Sequence, residues 1–125
     1  MTMNYQIRQK GDVTILDLTG WLSLGEVVAG SGVVLNDTIR ELAKKGEKRI
    51  LINLAGVTYV DSSGVGQLAG ACATARNQGV ELKFLNPTNQ IQILLKITRL
   101  DTLFDIKYGE DTAIKSFANE AAAQA

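Results

Sequence analysis

Apolar and polar positions change period several times along the chain, and each change predicts an element. Tyr5-Gln6-Ile7-Arg8 alternates, and Val13-Thr14-Ile15-Leu16-Asp17-Leu18 is apolar and β-branched, so two strands are expected. Lys10-Gly11-Asp12 between them offers a glycine-led tight turn and an antiparallel hairpin. The stretch 20–32 mixes Trp21, Leu22, Leu24, Val27 and Val28 with Gly20, Gly25, Gly30 and Gly32, and reads as a loop leading into a helix. Over 31–45, Leu35, Ile39 and Leu42 continue from Val28 at i+7, i+11 and i+14, one helical stripe. Lys44 and Lys45 suit the last turn, and Gly46 stops the helix.

Ile50-Leu51-Ile52-Asn53-Leu54 is nearly all apolar, the pattern of a strand covered on both faces. A second helix is expected over 62–78, with Val65, Leu68, Ala69, Cys72 and Ala75 or Arg76 along one side and Gly79 ending it. Val80, Leu82 and Phe84 alternate with Glu81 and Lys83 as another strand. Pro87 opens a third helix carrying Ile91, Leu94 and Leu95. Phe104-Asp105-Ile106-Lys107 suits a short final strand and 111–118 a last helix. Strand–helix–strand alternation with short loops implies right-handed crossovers onto a partly parallel sheet. The fold class expected is α/β, one domain over 1–118, with 119–125 a frayed alanine-rich tail.

Composition narrows the chemistry. Thirteen basic and thirteen acidic residues cancel in a chain of 125, and no basic stripe suggests a nucleic-acid partner. Histidine is absent, which removes Ser-His and Cys-His nucleophile arrangements and most zinc sites. The single Cys72, in Gly70-Ala71-Cys72-Ala73, reads as a small packing residue. No apolar run reaches the length of a membrane span and the N-terminus lacks a signal-peptide core, so a soluble cytoplasmic protein is expected. No cofactor or metal is expected.

The junction Val57-Thr58-Tyr59-Val60-Asp61-Ser62-Ser63-Gly64-Val65-Gly66 lies where a strand ends and a helix begins, a common place for contacts in open α/β sheets. Asp61 suits the N-cap, and Ser62 then becomes the first helical residue with its hydroxyl outward, beside amides that welcome negative charge. Gly64 and Gly66 are poor helix formers, each costing on the order of 1 kcal/mol against Ala, so close backbone approach to the sheet or to a partner is expected in return. By spacing alone, Asp-Ser-Ser-Gly reads equally well as a cap with no further role.

The wider context resembles the STAS family, the anti-sigma-factor antagonists and their relatives. That family's signature is a hydrophobic strand end followed by Asp-Ser-Ser-Gly-Leu-Gly; here it is Val60-Asp61-Ser62-Ser63-Gly64-Val65-Gly66. Leu18-Thr19-Gly20, the block Asn86-Pro87 to Ile106, and Glu110-Asp111-Thr112-Ala113-Ile114 match in the same order over nearly the whole chain. The resemblance implies a STAS-like domain: a mixed, mostly parallel sheet of four to five strands, an opening β-hairpin and about four helices. It implies a phosphorylation-regulated protein-binding switch and no enzyme. Ser62 is the implied phosphorylation site, and Asp61, Ser62, Ser63, Gly64, Val65 and Gly66 the implied partner-binding residues. The implied partners are an ATP-dependent anti-sigma factor/serine kinase, bound when Ser62 is unphosphorylated and released afterwards, and a PP2C-type phosphatase that resets the switch. A monomer or weak dimer is expected. The alternative within the family is a scaffold subunit of a signalling assembly or of a lipid-transport ATPase complex. An enzyme would need Ser62 or Ser63 as nucleophile with Lys or Asp as base.

Two stretches depart from the family pattern. Gly20-Trp21-Leu22-Ser23-Leu24-Gly25-Glu26 replaces the usual Gly-x-Leu-Asp and Thr-Ala, which leaves the partner's identity open; Trp21 is expected to cover the core edge. Thr98-Arg99-Leu100 replaces Thr-Gly-Leu, so either Arg99 is strained or the third helix ends differently.

Overall fold

A computed structural model describes residues 3–23 and 31–124 of the chain, the side chains of 31–34 and 118–124 excepted. The loop expected over 20–32 is corrected at its start, where Gly20, Trp21 and Leu22 belong to the second strand and pair with the third; its stretch 24–30, with Val28 at the head of the first helical stripe, lies outside the described residues. Strands β1 (Met3–Lys10) and β2 (Val13–Leu22) form the expected antiparallel hairpin, with Lys10 opposite Val13. Two residues close it, and Gly11 takes φ 60°, a value glycine adopts without a Cβ penalty. Then follow α1 (Ser31–Lys44), β3 (Arg49–Val60), α2 (Ser62–Asn77), β4 (Glu81–Leu85), α3 (Asn89–Ile97), β5 (Ile106–Lys107) and α4 (Glu110–Gln124).

The sheet has five strands in the order β1-β2-β3-β4-β5, parallel from β2 onward. A monotonic order with right-handed crossovers puts every crossover helix on one face. Side-chain alternation carries that through. Leu16, Leu18, Ile50, Ile52, Leu54 and Phe84 point to a core shared with Leu35, Ile39 and Leu42 of α1, Val65 and Leu68 of α2, and Ile91 and Leu95 of α3. The intervening positions Val13, Ile15, Leu51 and Leu85 form a second core with Ala113 and Phe117 of α4. Helix α4 is thus the lone described cover of the second face, and it continues through Gln124, beyond the end expected from the pattern.

An ionic cluster fastens its start. Arg8 donates to Asp17 at 2.5 and 3.0 Å and to Glu110 at 2.6 Å, Lys10 reaches Glu110 at 2.7 Å, and Asn53 donates to Asp17 at 2.8 Å. The bonds from Arg8 and Lys10 hold the Glu110 carboxyl down to about 2, and Arg8 likewise lowers Asp17.

Three further local expectations are corrected. Lys83, one of the polar positions in the β4 alternation, is buried at 1% exposure, because α4 covers the face it points to. Its ammonium donates to the Ser116 hydroxyl at 3.1 Å, lies 3.4 Å from Asp105, and sits 4.8 Å from the Phe117 ring centre. Pro87 does not open α3: Thr88 is its N-cap, with the hydroxyl accepting from the Ile91 N–H at 3.3 Å. β3 runs on past Leu54 to Val60, paired there with Thr19–Leu22 of β2 across two register shifts. Of the two outcomes foreseen at Thr98-Arg99-Leu100, the first holds: Arg99 takes φ 59°, the left-handed position glycine would otherwise fill.

Candidate functional site

The β3 extension decides the site's position. It carries the chain beyond the end of the β3–β4 pairing, so the β3-to-α2 turn stands beside the end of β2. Asp61 leaves β3 in extended geometry, φ −123° and ψ −178°, and caps α2. One carboxylate oxygen accepts from the Gly64 N–H at 2.9 Å and from the Ser63 hydroxyl at 2.5 Å. The other accepts from the Ser23 hydroxyl at 2.7 Å and from Tyr59 at 3.4 Å. Burial opposes ionisation of Asp61, but the bonds from Ser63, Ser23, the Gly64 amide and Tyr59 outweigh it and hold the carboxyl below its usual range. Asp61 is therefore a fixed anion that ties the end of β2, the end of β3 and the first turn of α2 together.

The two glycines of the first turns serve different ends. A Cβ on Gly64 would stand 1.9 Å from the Leu22 carbonyl oxygen, so glycine is what lets α2 meet the end of β2. A Cβ on Gly66 would meet nothing within 4 Å, and Gly66 is exposed. The six residues singled out in the sequence therefore divide. Gly64 and Val65 are buried, Asp61 and Ser63 half-buried, and Ser62 and Gly66 exposed. Whatever touches this turn from outside meets Ser62 and Gly66, while Gly64 and Val65 shape the turn from within.

Sequence reasoning missed three contributors. Ser23 is buried and donates to Asp61. Tyr59 reaches the same carboxylate, and its ring lies 4.8 Å from that of Trp21, tilted by 36°. Trp21 is half-buried and lies in β2, not in the loop expected of it. Gln90 of α3 donates to the Val60 carbonyl at 3.2 Å, closing the other side of the turn. A polar residue just past an apolar strand end is the one signal that pointed to Ser23.

Among the described residues no cluster of His, Cys, Asp and Glu could hold a metal ion, and no helix is long and apolar enough to cross a membrane. Cys72 is half-buried, and burial pushes its thiol up to about 11 against the pull of Arg76, which fits a packing residue.

The family model described as the STAS domain matches residues 4–113. This chain belongs to the STAS domain family. Among its curated relatives is the anti-sigma-B factor antagonist of Bacillus subtilis (strain 168), 29% identical over 106 residues, covering 85% of this chain and 92% of the relative. The fold is that of solved anti-sigma factor antagonists. An anti-sigma factor antagonist from Mycobacterium paratuberculosis aligns with a TM-score of 0.72 at 17% identity, covering 91% and 92% of the two chains. The Bacillus cell fate determinant SpoIIAA aligns at 0.65 in its unphosphorylated form and 0.66 in its phosphorylated form, at 19% identity in both. Coverage is 92% of this chain and 98% of SpoIIAA for the first, 91% and 99% for the second. The expected sheet, hairpin and helices are all present.

Proposed function

We propose that this STAS domain is an anti-sigma-factor antagonist whose partner binding is switched by phosphorylation of Ser62. Unphosphorylated, it sequesters a cytoplasmic anti-sigma factor that is also an ATP-dependent serine kinase. The kinase transfers the γ-phosphoryl group of ATP to the Ser62 oxygen, a base in the kinase takes the hydroxyl proton, and ADP leaves. The phosphorylated domain is then released, and a PP2C-type phosphatase hydrolyses the phosphoserine to restore it. The domain contributes a surface and an acceptor and catalyses nothing itself.

The observation that carries this reading is the exposure of Ser62 as the first residue of α2 while the residues around it are pinned. Phosphorylation adds about −1.5 to −2 charges at neutral pH. At a helix N-terminus the free amides and the dipole accommodate that charge, so the fold survives it. SpoIIAA aligns with this chain equally well with and without its phosphate, which agrees with a modification the fold tolerates. The neighbouring Asp61 carboxylate, held ionised, adds like charge to the same surface. A partner that desolvates a neutral hydroxyl then rejects a multiply charged group, and binding is lost while structure is kept.

The test is to incubate the domain with the kinase and ATP and to read intact mass. Wild type gains one phosphate and Ser62→Ala gains none. Equal labelling of both, or labelling of neither, refutes the assignment. Asp61→Ala labels more slowly, because the turn that presents Ser62 loses its anchor.

A further inference from the structure

The most exposed large aliphatic side chains among the described residues are Ile97 at 71%, Leu103 at 62% and Ile93 at 57%. All three lie on α3 or just after it, and their placement follows from the helix. Ile91 and Leu95 point into the core, and Gln92 faces β5, where Tyr108 donates to it at 3.2 Å. Gln90, Ile93 and Ile97, spaced i, i+3 and i+7, occupy the opposite flank. Gln90 on that flank holds the Val60 carbonyl, one residue before Asp61, so the flank adjoins the start of α2.

Across from it, α2 turns out Ser62, Gly66 and Ala73, all exposed. At the far end Leu103 joins Cys72 and Arg76 of α2 around one cleft. Ala69, Cys72, Leu94 and Leu100 form the floor, packed on the common core. An apolar strip thus runs from Ser62 along both helices to Leu103. Ser62 to Ala73 spans about 16 Å of helix. A standard interface of about 800 Å² is roughly 30 Å across, so a protein that holds Ser62 towards one edge of it reaches along the strip.

The charges beside the strip select the occupant. Arg76, Lys96 and Arg99 are exposed, and none has an ion-pair partner among the described residues. Asp101 is exposed beside Lys96, and Asp105, which lines the cleft with Arg76, is engaged by Lys83 and Lys107. A two-fold contact with a second copy would bring these cations against their own kind.

We infer that this strip is the second contact of the kinase that takes Ser62, docking a segment of that protein with apolar knobs and acidic flanks along α2 and α3. The inference rests on the reading of Ser62 as the phosphorylated residue. It makes Ile93 and Ile97 recognition residues remote from the transferred phosphoryl group, so they act on substrate binding and not on the chemical step.

The test is steady-state phosphorylation of wild type, the double variant Ile93→Ser/Ile97→Ser, the double variant Arg76→Glu/Lys96→Glu, and Ile7→Ser, an exposed apolar control on β1 at the sheet's edge. Expected is a KM about tenfold or more higher for the isoleucine variant with kcat retained. The charge variant raises KM at low salt and flattens its salt dependence, and Ile7→Ser matches wild type. Thermal melts by circular dichroism stay within a few degrees for all, since every changed side chain is exposed. Labelling of wild type with an unchanged KM in the isoleucine variant overturns this inference alone. Absence of any wild-type labelling overturns the Ser62 reading, and this one with it. A concentration-dependent dimer in sedimentation that the isoleucine changes abolish assigns the strip to self-association instead.

Discussion

The first turns of α2 have an inner and an outer side, and the two are built on opposite principles. On the inner side, Gly64 has no room for a single added carbon, Val65 is fully buried, and the Asp61 carboxylate is shared among four donors, Ser23 just past β2, Tyr59 of β3, and Ser63 and Gly64 of α2. On the outer side Ser62 and Gly66 face open space. The inner side is over-determined so that the outer side can change charge without moving. That contrast also separates two glycines only two residues apart, one required by packing and one left free by it.

Substitutions on each side test the contrast, and the largest effect is expected at Gly64. Gly64→Ala drives a methyl group into the Leu22 carbonyl, and neither backbone can yield cheaply. It should destabilise by about 3 kcal/mol or more in urea unfolding. A loss near the helix-propensity gain of an ordinary Gly→Ala change would mean the approach of α2 to β2 is not tight.

Asp61→Ala comes next, at about 2 kcal/mol, because it removes the cap together with the bonds that Ser23, Ser63 and Tyr59 make to it. The same carboxylate gives a pH signature. Its folded pKa lies below the unfolded value of about 3.9, so its contribution is complete above that pH and fades as pH falls through the folded value. The stability gap between wild type and Asp61→Asn, measured by urea titration at several pH values, should therefore narrow on acidification below about pH 4. A gap independent of pH would show that the charge is not what the donors stabilise.

Gly66→Ala should stabilise the fold by up to about 1 kcal/mol, since it adds helix propensity where nothing is in the way. Destabilisation there would erase the distinction between the two sides. Smallest of all, Ser62→Asp should change stability by no more than about 0.5 kcal/mol, the helix dipole offsetting repulsion from Asp61.

Much of this was legible in the sequence where local chemistry decides the outcome. The hairpin at Gly11, the stripe of α1, the Asp61 cap and the exposed Ser62 all follow from residues within a few positions of one another. What was not legible depends on a distant element. Lys83 sits in a strand whose alternation looks half-solvated, and only α4, arriving from the end of the chain, buries it beneath Phe117 and Ser116. Gly64 and Gly66 are indistinguishable as letters, and the end of β2 is what separates them. Ser23 and Tyr59 join Asp61 because β3 runs on to Val60, and an apolar run alone does not say where a paired strand stops. Thr88 and not Pro87 marks the start of α3, because its hydroxyl accepts the Ile91 N–H and a proline ring cannot.

The central claim is that charge at Ser62 abolishes partner binding and leaves the fold alone. The most direct measurement is titration calorimetry of the domain against its anti-sigma factor kinase, without ATP, before and after stoichiometric phosphorylation, with a thermal melt of each sample. The account predicts affinity lowered at least about a hundredfold, equivalent to about 3 kcal/mol, and melting temperatures that agree within a few degrees. Equal affinity of the two forms, or a phosphorylated domain that melts far below the unmodified one, would contradict it.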